Sequence, residues 1–197
     1  MSRSTDIDER TLSEAWRLDD ARTEYTCSIF SVEARAMHQS RPPANHAVFH
    51  VIRCPDWVNI VALTDDDAIV LIHQWRAGVD RTTLEIPGGM IDPDEAPLAA
   101  AIRELREETG YEADDWQLIG VVEPNPAIQD NRCHTFVARG ARAVHSPEFD
   151  PTEHCVTEVV AFAEVPNLIN GGAITHALVI AALHFETLRR TNLRDQP

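Results

Sequence analysis

The residues with the clearest chemical potential lie between Leu84 and Tyr111, where LEIPGGMIDPDEAPLAAAIRELREETGY gathers Glu95, Glu104, Glu107 and Glu108 around Arg103. Asp94 reads as the N-cap of a helix over residues 95–109, and Gly110 follows where a left-handed conformation costs little. At 3.6 residues per turn, Leu98, Ala101, Ile102, Leu105 and Thr109 make one stripe for a core, while Glu104, Glu107 and Glu108 make another. Carboxylates in the last turns of a helix oppose its macrodipole, and like charges three or four residues apart repel by a few tenths of a kcal/mol per pair. A bound cation reverses both penalties. Hard divalent ions such as Mg²⁺ take oxygen ligands and are commonly shared between one or two carboxylates and substrate phosphates.

Gly89, Glu95 after five intervening residues, and Arg103-Glu104-Leu105-Arg106-Glu107-Glu108-Thr109-Gly110-Tyr111 after seven more resemble the Nudix hydrolase box at every fixed position. Tyr111 stands where that family more often has an aliphatic residue. The resemblance implies an α/β fold, the Nudix α/β/α sandwich with a mixed β-sheet, and a divalent cofactor, Mg²⁺ with Mn²⁺ as the alternative. It also assigns roles. Glu104 and Glu108 are expected as metal ligands with Glu107 supporting a further ion, and the backbone carbonyl of Gly88 completes the primary site. Arg103 orients Glu107 or Glu104, Glu95 ties the loop to the helix, and Glu85 faces the metal or the substrate.

A length of 197 residues suits one domain, which buries roughly 70% of the surface its unfolded chain exposes. A formal net charge of −15 disfavours nucleic acid as a partner, because such binders concentrate Lys and Arg to release counterions. An anionic substrate must then enter through a local exception built from metal ions and a few arginines. Cys27, Cys54, Cys133 and Cys155 lie far apart with no metal-ligand spacing, and MSRSTDIDER carries no apolar signal core, so a cytoplasmic location with free thiols is expected. The longest apolar stretch, 177–183, falls far short of the ~20 residues that span a bilayer.

Along the chain, residues 1 to about 12 read as a loose tail, residues 25–37 and 46–53 as two strands forming a hairpin, and 41–45 as the turn between them. Residues 57–63 and 68–75 are apolar runs around an Asp-rich turn and read as a hairpin of buried strands. Further strands are expected over 116–122, 133–138 and 155–162, a short helix over 164–170 closed by Gly171 and Gly172, and a last helix capped by Thr175 with Ala177, Leu178, Ala181 and Phe185 on its inner stripe. Arg189 and Arg190 suit the dipole at its end, and His176 and His184 read as surface or packing residues. The domain division expected is residues 1–55 as tail and β extension and 56–197 as the hydrolase domain.

Three further segments resemble the ADP-ribose pyrophosphatase branch of the family. Gln74-Trp75-Arg76 is similar to its Gln-Tyr-Arg segment, and Arg76 has a planar fork that matches phosphate oxygens. Pro126 lies fifteen residues past Tyr111, where enzymes acting on ADP-ribose typically carry a proline, although Asn125-Pro126-Ala127 replaces the usual Ser-Pro-Gly. Glu153 occupies the place of a loop glutamate that serves as general base, with Glu148 as the nearest competitor. The branch also implies a homodimer that uses the N-terminal extension. Trp57, Trp75 and Phe136 are candidates to stack on a base or to pack in the core. Together these imply Mg²⁺-dependent hydrolysis of the diphosphate of ADP-ribose or a related nucleoside diphosphate sugar. A hydrolase for another such sugar, GDP-mannose for example, and a non-catalytic nucleotide sensor on the same fold are the alternatives.

Overall fold

The apolar runs of strand length in this chain are continuous, and because successive side chains point to opposite faces, each strand they form must cover a hydrophobic layer on both faces. The computed structural model describes residues 16–40, 44–149 and 154–194. They divide into two compact units, one of residues up to Cys54 with Asn125–Asp130, the other of Pro55–Pro124 and residues from Asn131 onward.

In the first unit, β1 (Trp16–Thr26), β2 (Ser31–Gln39) and β3 (His46–Arg53) form an antiparallel sheet in that order. The strand expected over 25–37 is thus broken by a turn, in which Cys27 N–H donates to the Phe30 carbonyl at 3.0 Å, and its two ends belong to different strands. Sequence patterning misses β1 because WRLDDARTEYT is polar and mostly exposed, and two bulges disturb its alternation. The N-terminal tail and residues 41–43 of the expected turn lie outside the described residues.

The second unit is built on a mixed sheet. Its strands are β4 (Trp57–Leu63), β5 (Ala68–Arg76), β6 (Arg81–Glu85), β7 (Gly88–Met90), β9 (Asp115–Val122), β10 (Cys133–Arg139) and β12 (Cys155–Ala161), while β8 (Tyr111–Glu112) and β11 (Arg142–Ala143) pair separately. The main path runs β12-β5-β4-β10-β9, with β4 and β10 parallel. Alternation sorts the core into two layers. Val61, Leu63, Ile69, Leu71 and Val137 meet Val179, Ala182 and Leu183 of the last helix, α3 (Ala177–Arg194). Val58, Ile60, Ala62, Val70, Phe136 and Ala138 meet Ala100, Ala101 and Leu105 of the first, α1 (Pro97–Thr109). A 3₁₀ turn at Phe162–Glu164 leads into the short α2 (Val165–Asn170).

The feature that positions the site is a seam. β4 and β5 pair only next to their turn, at Leu63↔Ile69. Beyond that point β5 pairs with β6 from Ile72↔Glu85 to Arg76↔Arg81, and β4 pairs with β7 from Trp57↔Met90 to Asn59↔Gly88. The chain from Glu85 to Gly88 therefore crosses between the two halves of the opened hairpin, and Ile60 N–H donates to the Pro87 carbonyl at 2.9 Å. Only glycine fits at residue 88. A Cβ there would stand 2.3 Å from the Val58 carbonyl oxygen.

Several element edges differ from expectation. α1 starts at Pro97, not Glu95; Pro97 holds the first helical position, and it biases Ala96 to the extended conformation seen at ψ 143°. Asp94 is not a cap but has φ 66° in the preceding loop. Leu98 and Ile102 are 40% and 46% exposed, and their places on the buried side go to Ala100, Glu104 and Glu108. In α3 the buried stripe is Val179, Ala182, Leu183 and Glu186, one residue on from the expected set. Thr175 does not cap that helix. The His176 carbonyl accepts the Ile180 N–H, and the Thr175 hydroxyl accepts Arg81 Nη2–H at 2.9 Å. At the end of α2, Gly172 at φ 74° supplies the left-handed turn, whereas Gly171 is right-handed. Phe136 is core, Trp57 is half-buried, and Trp75 is 57% exposed.

Candidate functional site: the glutamates of α1 and the crossing segment

α1 ends as its sequence dictates, with Gly110 at φ 72° donating its N–H to the Arg106 carbonyl at 2.7 Å. Its last two turns lie beside the crossing segment. Glu108, 2% exposed, accepts the Gly88 N–H on Oε2 at 2.9 Å, and the Cys155 thiol lies 3.8 Å from its Oε1. Glu104, 8% exposed, presses its carboxylate against Gly89, where a Cβ would meet Oε1 at 2.2 Å. Gly88 is thus required by its close approach to the β4 backbone, whereas a side chain at Gly89 would displace the Glu104 carboxylate.

Arg103 is the hub. Its Nε and Nη2 bind the two oxygens of Glu95 at 3.0 and 2.9 Å, Nη1 binds Glu104 at 2.9 Å and Glu107 at 3.1 Å, and Nη2 also reaches the Met90 carbonyl at 3.0 Å. Glu95 in turn accepts the Asp92 N–H, which fastens the loop to the helix. Hydrogen bonds from Arg103 hold Glu95 below the usual carboxylate range, and the glutamates push the Arg103 guanidinium further up. Three carboxylates share one guanidinium, so the cluster carries surplus negative charge.

A divalent cation fits this donor set. Glu104, Glu107, Glu108 and the peptide oxygens of the Gly88-Gly89 turn are hard oxygen donors, and surplus negative charge at a helix C-terminus is what a cation relieves. Among the described residues no three acidic, His or Cys side chains already converge as a closed cage. On β5, Gln74 shares the face of Val70, the face that packs toward α1, and its Oε1 is buried with no hydrogen-bond partner among the described residues.

The crossing segment starts from a second polar group. Glu85, 3% exposed, accepts Arg76 Nε–H and Nη2–H, both at 2.9 Å, the Thr83 hydroxyl, and a hydrogen bond from His176 Nδ1 at 2.8 Å. Burial opposes its charge, but His176, Arg76 and Thr83 outweigh burial and hold it well below the usual carboxylate range. His176 belongs to this group and is not merely a packing residue. No local signal could have revealed it, since it lies 91 residues from Glu85 in the chain.

The other sequence candidates fall elsewhere. Glu148 is exposed, pairs with Arg106 at 3.3 Å, and donates its N–H to the Glu107 carbonyl at 2.8 Å. Glu153 lies outside the described residues. Pro126 belongs to the first unit, in a segment where Ile128 and Gln129 N–H both donate to the Asn125 carbonyl.

Comparison with known proteins agrees with this geometry. The NUDIX domain family matches residues 55–183, more than half of the chain. The chain is 33% identical over 166 residues to an ADP-ribose pyrophosphatase of Mycobacterium tuberculosis (strain ATCC 25618 / H37Rv), covering 83% of this chain and 79% of that one. It is 31% identical over 127 residues to a methanol dehydrogenase activator of Bacillus methanolicus, covering 63% and 69%. In fold it matches a crystal structure of an ADP compounds hydrolase with a TM-score of 0.80 at 24% identity, covering 90% of this chain and 95% of the other. With the box residues gathered around Arg103 and the family matched across the second unit, the chain belongs to the Nudix family and is a hydrolase resembling its ADP-ribose pyrophosphatases.

Proposed function

We propose that the protein hydrolyses the diphosphate linkage of ADP-ribose or a related nucleoside diphosphate sugar with Mg²⁺, or Mn²⁺ in its place, releasing a nucleoside monophosphate and a sugar phosphate. The observation that carries this reading is the surplus of carboxylates around Arg103, on a helix end held against a Gly-Gly turn. The substrate class is carried over from the mycobacterial relative, an ADP-ribose pyrophosphatase.

Glu104, Glu108 and the Gly88 carbonyl hold the first ion, and Glu107 supports a second. When bound, the metal neutralises non-bridging phosphate oxygens and acidifies a water. Arg103 keeps Glu104 and Glu107 in fixed rotamers through its Nη1. Arg76 meets the anionic substrate, and Glu85 acts through Arg76, because its own acceptor sites are filled. Glu153 takes the proton of the attacking water. Its support is its place in the sequence, between Glu148, whose N–H is bonded to the Glu107 carbonyl, and Cys155, whose thiol touches Glu108. Residues 1–55 serve as the contact of a homodimer, supported by Tyr25, Val48 and Phe49 lying exposed on the first sheet. Sedimentation or light scattering checks this last point, and a monomer at micromolar concentration contradicts it.

Turnover across ADP-ribose, ADP-glucose, GDP-mannose, UDP-glucose and diadenosine polyphosphates, with Mg²⁺ and then with EDTA, tests the whole. Strong Mg²⁺-dependent preference for ADP-ribose is expected. Preference for a GDP sugar moves the substrate and keeps the chemistry. No turnover on any substrate, together with ligand binding that survives Glu107→Gln, replaces the enzyme by a sensor.

A further inference from the structure

Glu85 is saturated. Oε1 accepts Arg76 Nε–H and the Thr83 hydroxyl, and Oε2 accepts Arg76 Nη2–H and the bond from His176 Nδ1. A carboxylate offers about four lone-pair sites, and all four are used. It therefore has no acceptor left for a cation or a sugar hydroxyl, and what it can influence is the direction of Arg76. The bidentate contact uses two of the five N–H groups of that guanidinium; among the described residues Nη1 donates to nothing, and the side chain is 40% exposed. One edge of Arg76 is thus held against the protein and the other is presented outward.

The bidentate pair alone does not fix that outward edge, because a carboxylate and a guanidinium joined as a fork can still swing together about the Glu85 side chain. Two outside donors stop the swing. Thr83 comes from the same strand, but His176 comes from the segment just before α3, where its carbonyl also accepts the Ile180 N–H at 3.0 Å. Its ring is therefore set by the helix start at one end and by Glu85 at the other. We propose that His176 is a positioning residue that, by donating Nδ1–H to Glu85, sets the direction in which Arg76 presents Nη1 to the phosphate of a nucleoside diphosphate sugar. This rests on the reading of Arg76 as a substrate contact given above.

Paired substitutions test it. Asn at 176 returns an amide N–H near the place of Nδ1, whereas Gln returns one near Nε2; the position is partly exposed at a helix start, so both should fold. His176→Gln and His176→Ala should raise KM for ADP-ribose about tenfold, as expected for a lost hydrogen bond to a charged group, with kcat changed less than about twofold. His176→Asn should recover most of the loss. Arg76→Ala should raise KM further, and His176→Ala added to it should do nothing more, because its effect is already spent. Equal KM for wild type and His176→Ala, indistinguishable Asn and Gln variants, an additive double variant, or an Arg76→Ala variant with normal KM would each overturn the inference. If wild type turns over no nucleoside diphosphate sugar, the functional reading falls and this inference with it; if wild type is active, Arg76→Ala is impaired and His176→Ala is not, only this inference falls.

Discussion

Two helices of this protein carry arginine–glutamate clusters made of the same residue types, and the clusters differ in charge balance. On α1, the single guanidinium of Arg103 serves Glu95, Glu104 and Glu107. On α3, Arg189 and Arg190 both bind Glu186, whose side chain is fully buried, and Arg190 also grips Asp67 at 2.9 and 2.7 Å while its Cζ sits 3.8 Å from the Phe162 ring centroid. Two guanidiniums for two carboxylates make a closed structural clasp between α3 and the β4–β5 turn. Three carboxylates on one guanidinium leave a demand for positive charge, and a cation meets it. Charge balance, more than the presence of acidic residues, separates the candidate active centre from the brace.

The comparison breaks most visibly in turnover. Glu104→Gln and Glu108→Gln should each lower kcat/KM by on the order of 10²–10³, the size expected when one preorganised electrostatic group is lost, while Glu186→Gln should leave it within about twofold. Equal losses at both helices would erase the distinction. Steady-state kinetics on ADP-ribose decide it.

Metal linkage is the next largest effect. EDTA should abolish turnover and Mg²⁺ restore it, and at about 100 times its Kd the ion should stabilise wild type by ~2.7 kcal/mol. The same shift should persist in Glu186→Gln and vanish in Glu104→Gln. Thermal melts with and without Mg²⁺ read this directly, and a shift equal in all three proteins would place the ion elsewhere.

Stability without metal should run the other way. Glu186→Ala takes from Arg189 its carboxylate and leaves Arg190 with Asp67 alone, and should cost about 2–3 kcal/mol in urea unfolding. Metal-free Glu104→Gln relieves repulsion and should change stability by only a few tenths of a kcal/mol, in the stabilising direction.

The smallest effect is in pH. Burial opposes the Glu186 charge, but Arg189 and Arg190 overcome it and leave its folded pKa below the ordinary value. Its stabilisation is therefore fully present above the unfolded carboxylate pKa of ~4.3 and is lost as pH falls through the lower folded value. The stability gap between wild type and Glu186→Gln should narrow below about pH 4. A gap that widens on acidification contradicts the clasp.

How much was legible follows from how far each interaction reaches. The glycine stop at Gly110, the glutamate face of α1 and the apolar runs of β4 and β5 are set within a turn or a strand, and their residues state them directly. The start of α1 was also legible, in Pro97, but Asp94 competed for it as a cap. The inner stripe of α1 was legible only in part, in Ala101, Leu105 and Thr109. Leu98 and Ile102 are the larger apolar residues, yet small Ala100 and Ala101 face the sheet and let the helix approach closely, which brings Glu104 and Glu108 against the crossing segment. β1 was hidden because its pairing with β2, not its composition, makes it a strand.

By itself, then, the sequence determined which helix carries the carboxylates, their order around Arg103, where that helix stops, and which family it resembles, because these depend on residues a few positions apart. Tertiary structure alone decided that β4 and β5 part to let Glu85–Gly88 through, that His176 meets Glu85, that Cys155 meets Glu108, and that Glu186 is clasped rather than solvated. Each of those contacts joins elements distant in the chain, and the energy that selects them comes from burial on the two faces of one sheet, which no local pattern can register.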